Sequence, residues 1–153
     1  MILIDSNVLV AGLVRDHEHH AEAALLFSAD PLPQIIVAAH SHAEAFVTLT
    51  RRGGGMPHAY DPARVIVGLA EIRSITTLVA MTAEQTIDAI ERFADIGVGA
   101  RLYDYLIGRT AVLHGAKAIV TFNTGHMRAL FPGVAVATPG EWLALNPALS
   151  PPP

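Results

Sequence analysis

The chain has no cysteine. Disulfides and thiolate zinc sites are therefore excluded, and the cytoplasm is the default compartment. No apolar run reaches the roughly 18 residues of a membrane span. No basic n-region precedes the first apolar stretch, so no signal peptide is expected. No glycine-rich loop follows that stretch either, which argues against a nucleotide-binding enzyme. Charge is scarce: 16% of residues are charged and the net charge is -4. The missing basic surplus argues against a nucleic-acid binder that works through a basic footprint. It leaves open one in which clustered acids hold divalent cations that then meet phosphate. Eight histidines could add positive charge below about pH 6.5.

What is present is apolar. The chain is 52% hydrophobic over 153 residues, enough for one domain with a real core. Such a composition fits an α/β domain whose sheet is covered on both faces. The most informative stretch is the first, Met1 to Val10 (MILIDSNVLV). Four apolar residues run into Asp5, Ser6 and Asn7, and apolar residues resume. This reads as a buried strand followed at once by a helix, with Asp5 and Ser6 as candidate N-caps. Asp5 then stands at the carboxyl end of a central parallel strand, the edge where open α/β sheets bind ligands. A carboxylate there needs a partner. No basic residue occurs before Arg15, which points to a metal ion.

Helices and strands alternate along the rest. Helices are expected over 17–29, 40–52, 62–73, about 82–95, 100–114 and 139–145, with a short one within 122–130. Strands are expected over 34–38, 74–81, 117–121 and 133–137. Ser41 with Glu44 three residues on has the pattern of a capping box. Asp61-Pro62 supplies a cap and a first-turn proline, and Thr82 with Gln85 a second box. Gly97 and Gly99 break one helix, and Gly115 ends another. Arg51 and Arg52 suit a helix C-terminus, ended by the run Gly53-Gly54-Gly55, which with Pro57 makes a flexible loop. The alternation predicts a three-layer sandwich with a mostly parallel sheet of about five strands. One domain is expected over 1–145, with a proline-rich tail over 146–153.

On this plan Asp5, Glu44 and Asn123 can converge, because strand ends and the helix starts that follow them share one edge of a parallel sheet. Asp104 joins them only if its helix begins over that edge. Three carboxylates and an amide oxygen are hard ligands, the set for Mg²⁺ or Mn²⁺. Each has a blander reading. Asp5 and Asp104 suit caps or dipole partners, Glu44 the back half of a capping box, and Asn123 a turn. What favours chemistry is the joint pattern in a chain with few acids.

Asp5-Ser6-Asn7-Val8-Leu9, Ala43-Glu44-Ala45-Phe46, Tyr103-Asp104-Tyr105-Leu106-Ile107 and Thr121-Phe122-Asn123-Thr124-Gly125-His126-Met127 together resemble the motifs of PIN-domain ribonucleases, and within them VapC toxins of VapBC toxin–antitoxin pairs. The resemblance runs from Met1 to about Trp142. It implies a Rossmann-like PIN fold and a metal-dependent endoribonuclease, with Asp5, Glu44 and Asp104 at acidic metal-site positions. Asn123 falls where many members carry Asp, so it brings an oxygen without charge. Ser6 matches the small hydroxyl residue beside the first Asp, and Thr121 lies near the site. The implied chemistry is hydrolysis of RNA by a metal-activated water, leaving 5′-phosphate and 3′-hydroxyl ends. The implied substrate is single-stranded or looped RNA such as tRNA or rRNA. The implied partners are a cognate VapB-like antitoxin and a second copy of the chain.

His126 and Arg51 are further candidates for substrate contact, as are Arg52, Arg101 and Arg128, for which surface charge is the default. His17, His19 and His20 have no further ligand at fixed spacing and read as a solvated face. Asn7 reads as a tie within the first turn. Trp142 and the other aromatics read as core or interface. Two rival functions stand beside the toxin: an RNA-processing nuclease without antitoxin, and a non-enzymatic PIN-like or flavodoxin-like scaffold whose acids are caps that do not converge.

Overall fold

A computed structural model of the chain describes residues 1–51 and 59–147. These form five strands and eight helices in the order β1 (Ile2–Ile4), α1 (Ser6–Leu13), α2 (His20–Phe27), β2 (Ile35–Ala38), α3 (Ala39–Thr50), α4 (Pro62–Ser74), β3 (Thr77–Val79), α5 (Ala83–Ala94), α6 (Arg101–Leu113), β4 (Ala118–Val120), α7 (Thr124–Leu130), β5 (Ala135–Ala137) and α8 (Pro139–Leu145). No described helix is long and apolar enough to cross a membrane.

The sheet is parallel throughout, in the order β3-β2-β1-β4-β5. Its three inner strands are apolar at every position because both faces are covered. Side chains alternate across the pleat. Ile2, Ile4, Ile35, Val37, Ala118 and Val120 pack under α1, α2, α3, α4 and α8. Leu3, Ile36 and Ile119 pack under α5, α6 and α7. The expected three-layer α/β sandwich is what the chain builds. The chain moves outward from β1 to β3, then crosses back to β4. The strand order therefore reverses between β1 and β4, and a crevice opens there at the carboxyl edge.

Local signals set several boundaries as expected. Asp61 accepts the Arg64 N–H with Pro62 following, and Thr82 and Gln85 form a reciprocal capping box. Others differ. The expected helix over 17–29 begins only at His20, because the chain turns first: the His17 N–H donates to the Val14 carbonyl and the His20 N–H to the His17 carbonyl. The expected box of Ser41 and Glu44 does not form. Helix α3 starts directly off β2 with Ala38 as its N-cap, so Ser41 lies inside the first turn with its hydroxyl buried and unpartnered. The strand expected over 74–81 is an exposed three-residue edge strand, since Ser74 remains in α4. The glycine run 53–55, Arg52, Pro57 and the tail beyond Pro147 lie outside the described residues. Trp142 packs against the core, as expected.

Helix α6 lies so close to α7 that a Cβ on Gly108 would overlap the ring of the buried Phe131. Gly108→Ala gains about 1 kcal/mol of helix propensity but overpacks a close-packed interface at about 1–3 kcal/mol. A net loss of stability is expected in urea denaturation; a more stable variant would show that this contact is loose.

Candidate functional site

Asp5 follows β1 and caps α1. Its backbone N–H is bound by the Val120 carbonyl of β4, which fixes it at the crevice. Only 3% of the residue is exposed, and both carboxylate oxygens are held by donors. Oδ1 accepts the Ser6 N–H at 2.6 Å and the Ser6 hydroxyl at 3.3 Å. Oδ2 accepts the Thr121 hydroxyl at 2.7 Å and Asn7 Nδ2 at 2.9 Å. The cap and the site are thus one residue. Burial pushes the Asp5 carboxyl above the ordinary range, against these hydrogen bonds.

Thr121, fully buried after β4, is the hub. Besides donating to Asp5, its oxygen accepts Asn7 Nδ2 at 2.9 Å and the Asn123 N–H at 3.0 Å. Asn7 Oδ1 accepts the Phe122 N–H at 3.2 Å. Asn7 is therefore the tie within the first turn that its sequence suggests, and it also joins that turn to the segment after β4.

Glu44 faces the same crevice from α3, and Asp104 from the first turn of α6. The condition on Asp104, that its helix begin over this edge, is met. Burial raises Glu44, and the charges of Asp5 and Asp104 raise it further, while a hydrogen bond with the Ser6 hydroxyl lowers it. Burial raises Asp104, and Asp5 adds to this, while His126 and Arg101 pull it down. The three carboxylates are thus within electrostatic reach of one another, which separate caps would not be. Glu44 Oε2 is buried without a hydrogen-bond partner.

Among the described residues no group of three or more histidine and acidic side chains is drawn together tightly enough to enclose an ion. The arrangement is open. Mg²⁺ suits such a site, since it binds through one or two carboxylates and retains waters. Hard oxygen donors, an unpartnered buried carboxylate oxygen and mutual charge repulsion all fit a divalent cation held by Asp5, Glu44 and Asp104. Asn123 stands one step back: its Nδ2 lies 3.2 Å from His126 Nδ1, which lies 3.9 Å from Asp104 Oδ2.

The remaining candidates separate. Arg51 is exposed at the C-cap of α3 and lines a groove with Glu44. Arg101 acts on Asp104 through its charge. Arg128 is spent elsewhere, donating to the Val136 carbonyl at 2.9 Å and pairing with Glu141. His17 and His20 share no helix face: His20 Nδ1 contacts the Ala11 carbonyl at 2.8 Å, and His19 stacks on Phe122 at 4.2 Å. One residue escaped the sequence reading. His40 lies near enough to Asp5 to be raised by its charge, although burial holds its pKa below the usual value, and its Nε2 is buried without a partner. Its spacing of four from Glu44, one turn of the same helix, was the available signal.

Comparison with known proteins gives the class and then the branch. A PIN domain model matches residues 2–130. Ribonuclease VapC40 of Mycobacterium tuberculosis, in strains CDC 1551 / Oshkosh and H37Rv, is 34% identical over 120 residues, covering 78% of this chain and 84% of that protein. The chain belongs to the PIN-domain family, among its VapC ribonucleases. Among solved structures, M. tuberculosis VapC20, described as a sarcin–ricin loop cleaving toxin, has a TM-score of 0.67 at 16% identity over 84% of this chain and 95% of its own. VapBC2 of Rickettsia felis, bound to a DNA fragment from its promoter, has a TM-score of 0.57 at 16% identity over 89% and 97%. FitAcB of Neisseria gonorrhoeae has a TM-score of 0.56 at 19% identity over 91% and 98%. At these identities the structural likeness shows the fold.

Two outcomes follow from the geometry. Thr121→Val removes a donor from the buried Asp5 carboxylate and strands the Asn123 N–H, and is expected to cost about 1–3 kcal/mol in denaturant unfolding, whereas Thr121→Ser retains most of the stability. Equal losses would place the role of Thr121 in packing. The second concerns charge. A carboxyl whose pKa is higher in the folded than in the unfolded chain binds more protons when folded, so stability falls as pH rises between the two values. Glu44→Gln removes that effect. Without divalent cation, the variant should melt above the wild type at neutral pH, and the gap should close as pH falls into the ordinary carboxylate range. A wild type as stable as the variant at every pH would contradict the raising of the Glu44 carboxyl by burial and by its acidic neighbours.

Proposed function

We propose that this protein is a Mg²⁺- or Mn²⁺-dependent endoribonuclease that acts as the toxin of a toxin–antitoxin pair. The observation that carries the reading is the meeting of Asp5, Glu44 and Asp104 at the crevice between β1 and β4, coupled by their charges. The 34% identity to Ribonuclease VapC40 supports RNA as the substrate. The fold shared with VapBC2 and FitAcB accords with a cognate VapB-like antitoxin. Apolar side chains left open on α4, Ile66 and Val67, support contact with that partner or with a second copy in a homodimer. Action on RNA implies a cytoplasmic protein.

In this reading Asp5, Glu44 and Asp104 hold the metal. Bound there, it supplies a water of lowered pKa and offsets the charge that develops on the phosphate. The chain positions the rest. Ser6, Asn7 and Thr121 fix the Asp5 carboxylate in one orientation through four hydrogen bonds. Glu44 Oε2, which has no internal partner, is free to coordinate. Asn123 Nδ2 donates to His126 Nδ1, and the His126 ring stands beside Asp104, where both are candidates for substrate contact. Arg51 offers a phosphate contact from the opposite side.

The test pairs growth with cleavage. Wild type and Asp5→Asn are expressed in a bacterium, and the purified proteins are incubated with total RNA in Mg²⁺ or EDTA. The wild type should arrest growth and cut RNA only with metal, while the folded variant does neither, a loss of about 100-fold or more in rate. Wild type and variant equally inert would leave the three acids without a catalytic role. Cleavage without growth arrest would favour an RNA-processing nuclease.

A further inference from the structure

Beside the acid cluster runs an open groove of about 590 Å³ between α3 and the start of α6. It begins at Glu44 and His40 and reaches Arg51, with Val47 on its floor and Tyr103 on its opposite wall. Glu44 and Arg51 are seven residues apart on one helix, about two turns and 10 Å along the same face. The groove therefore has a carboxylate of the metal-site set at one end and a guanidinium at the other. Between them lie two exposed apolar side chains, Val47 at 54% and Tyr103 at 53% exposure. Tyr103 immediately precedes Asp104, so its ring is anchored to the site through the backbone of the first turn of α6. An aromatic ring exposed to this extent beside a reactive centre is not needed by the core, in which Tyr105 on the same helix is buried.

We propose that this groove holds one unpaired nucleotide next to the cleaved bond, its base stacked on Tyr103 and its outer phosphate on Arg51. The proposal rests on the nuclease reading and adds a specificity residue to it. The chemistry of the walls matches the ligand at three points. A cation at the acid end would take one phosphate, Arg51 takes the next, and the apolar floor and ring take the base between them. A tyrosine face is available only to a base whose own face is free, so the groove selects single-stranded or splayed-out nucleotides over a duplex. Stacking is tolerant of sequence, so Tyr103 selects for an unpaired base rather than for a particular one.

The test uses the full chain with a short fluorescein-labelled single-stranded RNA of mixed sequence, cut in Mg²⁺. Asp5→Asn protein with the same RNA reports binding without turnover by anisotropy. Tyr103→Ala should raise KM about tenfold, the weight of one stacked base, while kcat stays within about threefold, as expected for lost ground-state binding. Tyr103→Phe, which keeps the ring, should match the wild type. Arg51→Ala should weaken binding and flatten its salt dependence. An unchanged KM in Tyr103→Ala, with the wild type active, overturns the groove and leaves the nuclease standing. An equal loss in Tyr103→Phe overturns it too, because the hydroxyl rather than the face would be responsible. A wild type that cuts nothing removes the nuclease reading; the anisotropy comparison then still decides whether Tyr103 binds RNA. A change in sedimentation for Tyr103→Ala without a change in RNA affinity overturns the proposal and makes this wall an interface between copies.

Discussion

The structure turns on the placing of three carboxylates where water is scarce. Asp5 is nearly fully buried at the carboxyl edge of β1, and Glu44 and Asp104 are brought into reach of its charge from α3 and α6. Burial comes first for all three; the Asp5 charge comes second for Glu44 and Asp104, while at Asp5 burial acts against its hydrogen bonds. A charge in such a place is costly unless paired. The protein supplies part of the pairing through the Ser6, Asn7 and Thr121 donors and leaves the rest open. The proposed divalent cation would relieve the same repulsion that burdens the folded chain. A site of this kind trades stability for binding.

The sheet makes the placement possible. A parallel sheet puts every strand end and every following helix start on one edge, and the order β3-β2-β1-β4-β5 puts the reversal between β1 and β4. Asp5 and Thr121 end those two strands and are hydrogen-bonded across 116 residues of chain. The Thr121 hydroxyl, one donor and two acceptances, links Asp5, Asn7 and Asn123. A fully satisfied buried network of this sort rigidifies what it touches. The orientation of the Asp5 carboxylate is therefore set by the core of the fold rather than by a loop.

Much of this was legible in the sequence, and the reasons for the rest are physical. The inner strands were legible because burial on both faces leaves unbroken apolar runs. Asp61-Pro62 and Thr82 with Gln85 were legible because a cap is made by residues a turn apart. The same local logic misled at Ser41 and Glu44, where the helix starts straight off a strand and no cap is needed. The absence of that box is what leaves Glu44 free to face the crevice. The late start of α2 depends on the turn over 14–19, which the apolar pattern does not record. The meeting of Asp104 with Asp5 depends on strand order, which spacing along the chain does not fix. The hub at Thr121 depends on contacts across most of the chain, and the approach of His40 to Asp5 depends on how α3 lies against β1, which its spacing of one turn from Glu44 does not fix.

The central claim, that these three acids jointly hold a divalent cation, is tested most directly by calorimetric titration of Mn²⁺ into the purified protein in two buffers of different ionisation enthalpy. Saturable binding is expected, accompanied by proton release that grows as pH falls, because the cation displaces protons from carboxyls whose pKa values are raised. Asp5→Asn, Glu44→Gln and Asp104→Asn should each weaken it by about 10-fold or more. Binding that is absent, or that is the same in the wild type and all three variants, would contradict the account.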